Sequence, residues 1–81
     1  MKRLVIEIKN HPRRSLSVMS GERMDTAIRK HAPYLRGLEP VQVFVQEYDP
    51  RLSTRFRYTP APQLLELLRR ELRELRPHSA A

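Results

Sequence analysis

VQVFVQEYDPRLSTRFRY, residues 41–58, reads as a β-hairpin and sets the frame for the rest of the chain. Val41, Val43 and Val45 alternate with Gln42, Phe44 and Gln46, the period of two expected of a strand with unlike faces. Tyr48-Asp49-Pro50-Arg51-Leu52-Ser53 carries turn chemistry. With Tyr48 opposite Ser53, Val45 faces Phe56 and Val43 faces Tyr58. One face then holds Val41, Val43, Val45, Phe56 and Tyr58, a good core surface. The other holds Gln42, Phe44, Gln46, Tyr48, Arg55 and Arg57. A slip of one residue would set Val43 and Val45 beside the arginines, so burial selects this register.

Upstream, residues 2–9 alternate in the same way, with Leu4, Ile6 and Ile8 on one face. Their β-branched content favours a strand. Residues 10–14, NHPRR, form a break. Leu16 and Val18 alternate with Ser15 and Ser17. A second strand here sets Ile8 against Leu16 and Ile6 against Val18, five apolar side chains on one face. Otherwise residues 15–19 are a loop into a helix. Ser20 is placed to cap that helix, with Glu22 and Asp25 in its first turns. Met24, Ala27, Ile28, His31 and Leu35 follow at helical spacing. Pro33 ends or kinks the helix, and Gly37 closes the region.

Downstream, Pro60 and Pro62 mark the start of a last helix. Leu64, Leu65, Leu68, Leu72 and Leu75 share a stripe at 100° per residue. Arg69, Arg73 and Arg76 flank it on one side; Leu67, Glu71 and Glu74 lie on the other. Glu66, Arg70 and Glu74 form a ladder of four-residue steps, each contributing about 0.2–0.5 kcal/mol. NHPRRS and YDPRLS each sit between alternating runs, and each unit ends in an amphipathic helix, so a duplicated ββα unit is conceivable. The expected fold is α+β: a four-stranded antiparallel sheet, ββαββα, with two helices packed on one face. If residues 15–19 are a loop, the order becomes βαββα. Residues 1–77 form one domain, and residues 78–81 are expected to be a flexible tail.

The chain has 81 residues, enough for one modest core. Its net charge is +7, and thirteen of its sixteen basic residues are arginine, whose planar fork suits phosphates and carboxylates. Such an excess favours an anionic partner, most often nucleic acid. There is no cysteine, which excludes disulfides, thiolate nucleophiles and thiolate-ligated zinc. Glu7 and Lys9 interrupt the N-terminal apolar run too early for a signal-peptide core, and no apolar run reaches membrane-spanning length. A soluble, cytoplasmic protein without a membrane partner is expected.

Catalytic signatures are missing. His11, His31 and His78 are scattered, and none forms a ligand pair. Ser15, Ser17 and Ser20 lie in no nucleophile motif. Glu7 and Asp25 are lone carboxylates, and the two glycines, Gly21 and Gly37, make no phosphate loop. The expectation is a protein that is not an enzyme, with no metal and no cofactor.

Nucleic-acid binding draws on the outer hairpin face, where Phe44 and Tyr48 would stack on bases while Arg55 and Arg57 hold phosphates. Arg13, Arg14 and Arg51 on the turns extend that surface. Arg69, Arg73 and Arg76 would form a secondary basic stripe. The rival expectation is a homo-oligomeric or regulatory module that binds an acidic protein surface. There the leucines of the last helix serve as a short dimer seam, or an edge strand pairs with a second copy.

Overall fold

The structure is a computed structural model and describes residues 2–75. Its elements run β1 (Lys2–Ile8), β2 (His11–Val18), α1 (Met24–His31), a 3₁₀ turn (Ala32–Leu35), β3 (Pro40–Tyr48), β4 (Phe56–Pro60) and α2 (Pro62–Glu74). The strands form one antiparallel sheet in the order β2-β1-β3-β4, so the ββαββα arrangement is observed. Arg76 and the tail at residues 78–81 lie outside the described residues.

The first hairpin turns earlier than the sequence suggests. Asn10 adopts a left-handed φ of 62°, which asparagine tolerates, and the chain reverses at Lys9-Asn10. Leu4 therefore pairs with Leu16 and Lys2 with Val18, four residues from the expected register. Four is even, so the faces are unchanged, and residues 15–18 are strand. Pro12 sits in β2 beside a register shift, a place open to it because β2 is an edge strand.

Ser20 does not cap α1. Gly21 takes a φ of 81° and Glu22 N–H donates to Met19 O (2.9 Å), a turn that delays the helix to Met24. Pro33 ends α1 at His31 and the chain tightens into the 3₁₀ turn. Pro62 occupies the first turn of α2, where a missing N–H costs nothing. Ala61 N–H donates to Val43 O (2.8 Å), which holds the start of α2 over β3.

The core lies between one sheet face and the helices. Leu4, Ile6, Ile8, Val18, Val43 and Val45 meet Ala27 and Ile28 of α1, Leu35 of the 3₁₀ turn, and Leu64 and Leu68 of α2. The α1 helix packs on β2, α2 packs on β3, and the two helices touch each other. Leu65, Leu67, Leu72 and Leu75 are partly buried against the same core, so the leucine stripe serves its own fold. Val41 is an exception to the expected face. It falls at a register shift between the Glu7–Gln42 and Ile8–Pro40 pairs and is exposed.

The largest correction concerns β4. Phe44 pairs with Pro60, Gln46 with Tyr58 and Tyr48 with Phe56. The connection is seven residues long, from Asp49 to Arg55, rather than four. Leu52 N–H donates to Asp49 O (3.1 Å) and Arg55 N–H to Leu52 O (3.0 Å), giving two successive turns. The change in register is odd, so the faces of β4 exchange. Phe56 and Tyr58 leave the helix side, and Arg57 enters it. The matched identities of the two halves part here as well: Pro12, Arg13 and Ser15 lie in a strand, whereas Pro50, Arg51 and Ser53 lie in this loop.

Candidate nucleic-acid interface

Among the described residues no helix covers the second face of the sheet. Strand pairing assigns to it Arg13, Ser15 and Ser17 of β2, Arg3, Val5 and Glu7 of β1, Gln42, Phe44, Gln46 and Tyr48 of β3, and Phe56, Tyr58 and Pro60 of β4. Four of the five phenylalanines and tyrosines of the chain are thus gathered on two neighbouring strands. Tyr48 is 60% exposed, Tyr58 47% and Phe56 40%. Phe44 is half-buried, and across from it Val5 is buried despite the absence of a helix on that side.

The rings are held in place. Tyr48 and Phe56 meet edge to face, with centroids 6.0 Å apart and planes at 71°. Gln46 Nε2 donates to the Tyr58 hydroxyl at 2.9 Å across the strands. At about 3.3 Å per residue, Phe44 and Tyr48 stand about 13 Å apart along β3. The aromatic end of the face is therefore an extended platform of fixed rings.

Its cations come from the β1–β2 side. Arg3 has no carboxylate partner among the described residues; its Nη1 donates only to Ser15 Oγ, at 3.4 Å. Arg13 pairs loosely with Glu7 at 3.8 Å. Arg3 was not singled out from the sequence, although the alternation of β1 places it opposite the Leu4 face.

The other expected site residues are dispersed. Arg14 pairs with Ile6 on the helix side, and its charge acts on His31. Arg51 and Arg57 both turn to Asp49. The Arg51 backbone N–H and Nε donate to Asp49 Oδ1, each at 3.1 Å, and Arg57 Nη2 donates to Asp49 Oδ2 at 2.8 Å. The Arg51 side chain is the main reason that the Asp49 carboxyl lies below its ordinary range, followed by the Arg51 N–H and then Arg57. Asp49 thus organises the loop and occupies two of the arginines expected to hold phosphate. Arg55, with a φ of 67°, lies in the loop and not on the strand face.

On the helix layer, Arg69 and Arg73 do come together, joined by Arg36. They line a groove of about 560 Å³ between α2 and residues 36–40. His31 lies in a separate crevice with Leu16, Lys30 and Tyr34. Its Nε2 is buried with no hydrogen-bond partner among the described residues, and burial, then Arg14, lowers its pKa. Glu22 lines that crevice too, but its carboxylate accepts from Lys30 Nζ at 2.7 Å, a bond that holds its pKa down. Among the described residues no cluster of three or more metal-ligating side chains occurs, and no helix is long and apolar enough to cross a membrane.

No protein-family model, curated protein or solved structure matches the chain.

Proposed function

We propose that the protein is a non-catalytic, single-stranded nucleic-acid-binding protein whose interface is the uncovered sheet face. The observation that carries this is the platform of Phe44, Tyr48, Phe56 and Tyr58 beside Arg3 and Arg13. Exposed rings of this kind accept unpaired bases, each stack contributing about 1–3 kcal/mol, and they do so with little regard to sequence. Stacked and paired bases of a duplex are hidden from such a platform, so single strands are preferred. Arg3 and Arg13 contact phosphates on the β1–β2 side, and the net charge of +7 draws the polyanion in.

Fluorescence anisotropy with single- and double-stranded DNA and RNA at several salt concentrations tests this. Binding is expected for single strands first, with affinity falling steeply as salt rises because phosphate contacts release counterions. Absence of binding at low salt overturns the assignment.

A further inference from the structure

The groove on the helix layer is chemically unlike the sheet face. Three arginines line it, Arg36, Arg69 and Arg73, against one acidic residue, Glu39, whose carboxylate leans to Lys9 at 3.8 Å. Arg36 and Arg73 make no ion pair and no side-chain hydrogen bond among the described residues. Arg69 Nε and Nη2 point at Pro40 O at 3.4 and 3.3 Å, long contacts to a neutral acceptor that leave its charge uncompensated. Leu38, Pro40 and Leu72 supply apolar surface between the charges. Three positive residues around one groove, with a single carboxylate among them, favour an anion there.

We propose that this groove is a second binding site, for a small phosphorylated ligand of nucleotide size. Its volume lies within the roughly 300–1,000 Å³ of small-molecule sites. Arginine forks match phosphoryl oxygens, and three of them suit a di- or triphosphate better than a single carboxylate. The leucines and the proline give an adjoining base or other apolar group a surface to lie on. The site is independent of the sheet-face proposal, because α2 packs on the side of β3 opposite Phe44.

The test is an NMR titration of the full chain with inorganic pyrophosphate, with adenosine triphosphate and with a single-stranded oligonucleotide. Saturable amide shifts at residues 36–40 and 69–73 are expected with the first two. Arg36→Ala with Arg73→Ala should weaken both by about tenfold or more, the loss of charge-assisted bonds, while Tyr58→Ala leaves them unchanged. Should the double variant not fold, Arg36→Ala alone, in a loop and exposed, carries the same expectation. Unchanged affinity in these variants, or the absence of saturable shifts at the groove, overturns the assignment. So does a groove that responds to the oligonucleotide but to neither small phosphate, since it would then belong to a nucleic-acid backbone path.

Discussion

Replacing Phe56 and Tyr58 together by alanine lowers the affinity for a single-stranded oligonucleotide by at least about 30-fold, while the domain stays folded with a melting temperature lowered by about 2–16 °C. The first half follows from two lost stacking surfaces at about 1 kcal/mol or more each. The second follows from exposure: both rings stand on an edge strand whose residues are all exposed. Only cross-strand contacts are lost, Tyr58 with Gln46 and Phe56 with Tyr48, each contributing about 0.2–1 kcal/mol. Anisotropy and thermal unfolding of one variant read both quantities. The pair also checks the register of β4. Were these rings beneath the helices, truncation would cost about 3–5 kcal/mol apiece and unfold so small a domain.

Leu68→Ala has the opposite signature. Leu68 is fully buried where α2 meets the core, with Val43 and Ile28 in the same cluster. Removing its branched end deletes contacts and leaves a cavity, at about 2–5 kcal/mol. For a domain of this size each kcal/mol shifts the melting temperature by about 4–8 °C, so a loss of at least about 8 °C is expected. Against a total stability of about 5–15 kcal/mol, the variant sits near the limit of folding. Calorimetry or circular dichroism measures it. Binding per folded molecule should be retained, because Leu68 lies behind the sheet from the platform.

The contrast between these two variants shows what the sequence makes legible. Alternation in residues 2–9 and 41–48 and the helical spacing of the leucines are direct consequences of burial on one side, and they identify the sheet, the helices and most of the core. The first hairpin tolerated an error of four residues because an even shift keeps every face. The second did not. Choosing its register by burial assumed that β4 has a covered side, yet the helices pack chiefly on β2 and β3, and β4 lies at the sheet edge with every residue exposed. Aromatic residues could therefore stand in the open, and their apolar character misled the assignment.

Loop length was the other hidden quantity. Asp49 accepts hydrogen bonds from Arg51 and Arg57, and the successive turns it anchors take in Ser53, Thr54 and Arg55. Thr54 Oγ1 adds a bond to Phe56 O at 3.1 Å. Asp-Pro followed by Ser-Thr was a visible sign of a longer connection. That Arg57 would answer Asp49, and so leave the phosphate-binding set, depends on a contact eight residues apart, closed only by the loop. The groove was half visible: Arg69 and Arg73 share a helix flank, but Arg36 reaches them from a distant part of the chain.

The central claim is that the platform of Phe44, Tyr48, Phe56 and Tyr58 receives bases. Tyr34, the fifth of these aromatic residues, supplies an internal control: it is 74% exposed and sits in the 3₁₀ turn on the helix layer. The most direct measurement follows the aromatic ring signals by NMR as a single-stranded oligonucleotide is added at low salt. The four platform rings should shift together, in proportion to saturation, while those of Tyr34 stay in place. Shifts at Tyr34 with the platform rings unmoved, or no ring shifts at all, would contradict the account.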